Sequence, residues 1–240
     1  TVLARFALPR MAALPGAAQV GSRAPLPFRN RRLVTLCVLT LIGVTAHFAS
    51  YTFIVPIVRD LVGIRGQTQA WLLGAYGVAG LITMLLLARA MDHRLRAVVV
   101  CSLTVLCLAF WSLGALAVFG ADVLAMTVGV AAVMMWGASA AALPPMLQSA
   151  AIRTAPEEPE QASALYVTSF QVGILAGSVA GAVVYQHANI SAVVAMSCAL
   201  FAVTLVGVIL RPDAFRGHAE PSAHRELDSD SDAVAASGRG

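Results

Sequence analysis

Four side chains able to recognise a molecule fall near the middle of long uncharged stretches: His47, Tyr76, Trp136 and Gln171. Tyr51 follows His47 by four residues, so on a helix the two share a face. Phe170 adjoins Gln171, and Tyr166 lies one turn earlier. The chemistry open to this set is binding rather than bond-making. An imidazole, an amide, phenols and ring faces can hydrogen-bond to and stack on an amphipathic organic molecule. His47 is the only mid-stretch group that titrates near neutral pH, which opens a proton-coupling role. No HExxH, paired aspartates or Ser/His pair occurs in these stretches, so no catalytic residue is expected. Cys37, Cys101, Cys107 and Cys198 lie in apolar runs without metal-ligand spacing, so neither metal nor cofactor is expected. Each residue also has a plainer reading: His47 bonded to a neighbouring helix, Gln171 in an interhelical hydrogen bond, Trp136 and Phe170 in ordinary packing.

Six apolar runs must position these residues, at about 33–58, 68–90, 97–119, 123–148, 161–185 and 189–210. Each is long enough to span the roughly 30 Å hydrocarbon core of a bilayer. Hydrophobic residues make up 59% of the chain and charged ones 12%, against about 25% charged in soluble domains. Mean hydropathy is +0.80. The expected class is therefore an all-α integral membrane protein whose partners include the lipid bilayer. The net charge of +4 carries no nucleic-acid signal. Residues 1–32 are rich in arginine and proline and are expected to be a cytoplasmic segment; residues 211–240 are polar and are expected to be a disordered cytoplasmic tail. All basic residues are arginine, and fourteen of the sixteen fall on one side of the expected topology. Only Arg59 and Arg65 fall on the other. That bias predicts two cytoplasmic termini in a plasma-membrane protein.

The run 161–185 carries Gly173, Gly177 and Gly181 at every fourth position. Such glycines share a helix face and let a second backbone approach closely. The six runs group as three plus three. Pro56, and Pro144 with Pro145, come late in the first member of each triplet; Gly74, Gly77 and Gly80, and Gly173 to Gly181, stripe the second. Three is odd, so the second triplet is inverted relative to the first. Proline- and glycine-interrupted spans at matching positions of inverted repeats point to a transporter with a mid-membrane site. Among the third members, only Trp111 lies at comparable depth.

The stretch from Tyr51 to Val100 resembles the seventh to ninth spans of the major facilitator superfamily, in its twelve-span drug:proton antiporter and arabinose-efflux-like branch. Tyr51 to Pro56 is similar to the proline-ended seventh span. Ala88 to Arg96 is similar to the second copy of the cytoplasmic signature loop, with Asp92, Arg94 and Arg96 in place. It departs at Ala88, where glycine is usual, and at His93, where arginine is usual. Leu143 to His187, with Gln148 and the glycine stripe, is similar to the tenth and eleventh spans. The resemblance covers about residues 30–210 and implies half of a major facilitator fold. It further implies alternating access against a missing N-terminal six-span half, and a gating role for Asp92, Arg94 and Arg96. The function expected from it is export of small organic or drug-like molecules by proton antiport, with the substrate and protons as partners. The alternative is a stand-alone six-span protein that acts as an assembly partner.

Overall fold

The computed structural model describes residues 30–119 and 123–215, without the side chains of residues 88–93 and 119. The arginine-rich segment before residue 30, the tail beyond residue 215 and the Asp92 side chain lie outside the described residues. Every regular element among the described residues is helical. In chain order these are α1 Arg31–Tyr51, a short α2 Ile54–Asp60, α3 Gly66–Leu87, α4 Arg94–Val118, α5 Val123–Thr154, α6 Pro159–His187 and α7 Ile190–Leu210. A 3-10 turn, Pro212–Phe215, follows. All but α2 and the turn are long and apolar enough to cross a membrane, which gives six spans.

Three boundaries differ from the hydropathy reading, each for a local reason. The first span stops at Tyr51 rather than near residue 58. The Phe53 amide turns back to the Ser50 carbonyl (2.9 Å), and the Thr52 hydroxyl donates to the Phe48 carbonyl (2.8 Å). This break puts Pro56 in the first turn of α2, where an absent N–H costs nothing. The expected link at 88–96 is helical instead. Helical backbone continues from Gly66 to Phe119 across a kink at Arg94 (φ −139°, ψ 40°), which separates the α3 and α4 spans. No glycine or proline interrupts that stretch, and its alanine, leucine, methionine and arginine are good helix formers. Lastly, α5 passes through Pro144 and Pro145 to Thr154. Tyr166 of α6 supports the proline stretch by donating its hydroxyl to the Pro144 carbonyl at 2.7 Å.

Packing follows the triplet grouping. On α6, a methyl added at Gly177 would lie 2.5 Å from the Thr45 carbonyl oxygen and 3.0 Å from the Ala49 nitrogen of α1. Gly181 abuts the Ala49 backbone, and Gly173 abuts Leu41 and Val44. The same device joins α3 to α5: Gly80 meets the Gly137 carbonyl, and Gly137 meets the Tyr76 carbonyl, where an added methyl would lie 2.6 Å away. Exchanging α1, α3 and α4 for α5, α6 and α7 carries the first contact onto the second. It also maps the α4–α7 contact between Phe110 and Phe201 onto itself. Two inverted three-helix repeats pack in this way.

Side-chain bonds tie one end of the bundle together. Asn30 caps α1 through its carbonyl oxygen and donates its amide to the Thr154 carbonyl at the end of α5 (2.8 Å). Arg96, at the start of α4, donates to the Ile209 carbonyl near the end of α7 (3.1 Å). Arg31, Arg32, Arg94, Arg96, Arg153 and Arg211 therefore gather at one end, and Arg59 and Arg65 at the other. At that second end Arg59 forms a paired bond with Asp60 (2.7 and 2.8 Å). The hydrogen bond from the guanidinium holds the Asp60 carboxyl below its ordinary range.

Candidate substrate site

The site begins with a single bond. Trp136 on α5 donates its indole N–H to Nδ1 of His47 on α1 at 3.1 Å. A nitrogen that accepts is unprotonated, so this geometry is that of a neutral imidazole with its proton on Nε2. Tyr51 stacks on the His47 ring with centroids 5.2 Å apart and planes 20° apart. Tyr76 of α3 reaches both, at 5.6 Å from Trp136 and 6.2 Å from Tyr51. Three helices thus supply one continuous aromatic surface. The 76–89° ring angles of Trp136 to His47, Tyr76 and Tyr51 are edge-to-face contacts, which bring a positive ring edge to a negative ring face.

The close α3–α5 approach explains why Tyr76 and Trp136 meet. Gly137 is next to Trp136 and lets the Tyr76 backbone come against α5. Burial is graded across the site. Trp136 is 0% exposed and forms its floor, whereas Tyr51 is 42% exposed and forms its open side.

Of the residues expected from sequence, His47, Tyr51, Tyr76 and Trp136 come together. Phe170 joins them through Phe48, whose ring centroid lies 6.4 Å away. Gln171 lies on the exposed face of α6, with Val167, Val172 and Leu175, and not among the rings. Arg94 and Arg96 sit at the kink that begins α4, and Arg96 spans to α7 as described above. Gly173, Gly177 and Gly181 are buried against α1.

Three residues of the site escaped the sequence reading. Phe48 bridges His47 and Phe170. Phe110 of α4 backs Trp136 at 4.9 Å, and Phe201 of α7 backs Phe110 at 5.1 Å. The third helices therefore do contribute, but through Phe110 and not through Trp111, which is 69% exposed. A signal was present: Val99, Leu103, Leu106, Phe110 and Leu113 recur at three- and four-residue steps and are all buried. Trp111 is turned about 100° from that stripe.

Six apolar helices in inverted triplets, enclosing an uncharged aromatic site, define a multi-pass membrane protein of transporter type. The profile of the Major Facilitator Superfamily matches residues 17–236, and the chain belongs to that family. It is 46% identical over 215 residues to a chloramphenicol efflux pump of Mycobacterium tuberculosis (strain CDC 1551 / Oshkosh), covering 88% of this chain and 51% of the relative. A chloramphenicol efflux pump of strain ATCC 25618 / H37Rv is 45% identical over 214 residues, with the same two coverages. A probable sugar efflux transporter of Mannheimia succiniciproducens is 27% identical over 197 residues, covering 79% of this chain and 47% of the relative. The chain spans about half the length of these relatives. Membership of a transporter family speaks against an enzyme.

Proposed function

We propose that these six helices are one half of an exporter of small, neutral, amphipathic organic molecules, and that a second six-helix bundle closes the site. The observation that carries this reading is the graded burial: a closed floor at Trp136, an open side at Tyr51, and no charged group among the clustered rings. In alternating access the two bundles rock about such a site. The Asp92, Arg94 and Arg96 corner then braces the cytoplasmic end of a plasma-membrane protein whose termini both face the cytoplasm. The arginine-rich end of the bundle supports that orientation. The His47–Trp136 bond supports coupling to protons. A proton arriving at Nδ1 displaces the indole N–H, so protonation of His47 breaks the side-chain bond that joins α1 to α5 within the ring cluster.

Chloramphenicol is the first compound to test, because two relatives are named as its efflux pumps. The test is accumulation of labelled chloramphenicol in susceptible cells producing the intact protein, with and without a protonophore. The expected result is lowered accumulation that recovers when the proton gradient collapses. Accumulation equal to that of cells lacking the protein overturns export, and low accumulation that persists without the gradient overturns proton coupling.

A further inference from the structure

Behind the aromatic site, α1, α4, α5, α6 and α7 enclose a pocket of about 160 Å³. Its walls include Phe48, Phe170 and Phe201, and no charged residue lines it. Thr40 of α1 also lines it, 0% exposed, and among the described residues its hydroxyl is the one buried side-chain polar atom without a hydrogen-bond partner. That is unusual in this molecule. Thr35, Thr104, Thr127, Thr168 and Thr204 each donate to the carbonyl four residues back. A buried hydroxyl left unpaired is costly, and such a group calls for a partner that is not part of the helices.

We propose that this pocket seats a neutral single-ring aromatic group bearing one hydrogen-bond acceptor, and that the Thr40 hydroxyl selects it. The size fits: a cavity of about 150 Å³ lined by apolar side chains is known to hold benzene. The walls fit as well, since Phe48, Phe170 and Phe201 offer ring edges and faces. The absence of a charged lining residue excludes an ionised ligand. His47 lines the same pocket, so the seated ring lies against the back of the aromatic site. That the ring belongs to an exported compound rests on the transport reading; the binding itself does not.

The test uses the purified intact protein in lipid nanodiscs and two probes of similar size, 4-fluoronitrobenzene and 4-fluorotoluene. Binding is followed by fluorine NMR against empty nanodiscs. The nitro probe, which carries the acceptor, is expected to bind about five- to tenfold more tightly. Thr40→Val, which keeps the shape and removes the hydroxyl, should erase that preference, and Thr40→Ser should retain it. Neither variant should lower the thermal transition of the ligand-free protein. Equal affinity of the native protein for both probes, saturation no greater than the empty nanodiscs, or a preference that survives Thr40→Val overturns the proposal. Loss of efflux with the probe preference intact would remove the transport reading and leave this one standing.

Discussion

Helix α1 is shared by two regions built on opposite principles. Toward α6 it offers Leu41, Val44, Thr45 and Ala49 to three glycines; the contact is backbone on backbone at Gly177 and Gly181 and includes the Val44 side chain at Gly173. Toward α3 and α5 it offers His47 and Tyr51, and the contact is ring on ring. In the first region the side-chain atoms nearest the glycines are those of β-branched Val44 and the Cβ of Phe48, so little can adjust. The second is made of side chains with torsional freedom, one of them 42% exposed. Lipid competes for apolar contact, so a membrane helix gains its fixed partner through close fit. Recognition can then be left to groups that move. The glycine seam is where these helices are held fast, and the rings are where they can adapt.

The largest expected effect tests the seam. Gly177→Leu forces a branched side chain into a space where even a methyl would lie 2.5 Å from the Thr45 carbonyl oxygen. Loss of most monodisperse protein after detergent extraction is expected; a wild-type yield would break the comparison. A smaller effect separates the rings from the seam. Trp136→Phe keeps the ring in its buried place but leaves Nδ1 of His47 without its donor. A cost of about 1–3 kcal/mol is expected for that unpaired group, with efflux lowered more than protein yield. Unchanged efflux would remove the indole from the site. The smallest effect sharpens what a glycine is for. A methyl at Gly74 meets nothing within 4 Å, so Gly74→Ala should cost nothing and can add about 0.5–1 kcal/mol of helix stability. A fall in thermal stability would show that close packing extends along α3.

The membrane class and the six spans were legible because hydrophobic run length is a direct physical requirement of the bilayer. The Gly173–Gly181 stripe was legible for a similar reason, since a fourfold spacing marks one helix face. The opposite seam was not. Gly74, Gly77 and Gly80 looked like a second stripe, but only Gly80 makes a close contact, and its partners are Ala141 and the lone Gly137. A one-glycine contact has no periodicity to read. The break after Tyr51 was hidden because α1 and α2 are both apolar, so hydropathy runs through it. Gln171 stands apart from the rings on the exposed face of α6, because mid-span position alone does not say which face a side chain occupies.

The three tryptophans divide cleanly, with Trp71 73% and Trp111 69% exposed on the outside of the bundle and Trp136 wholly enclosed. Quenchers carried on lipid tails would darken the outer pair first. Among the indoles of these six helices, the one left emitting would be Trp136, which touches His47, and its wavelength would follow events at the rings. The ring cluster of these helices thus carries an optical gauge of its own, with no label attached.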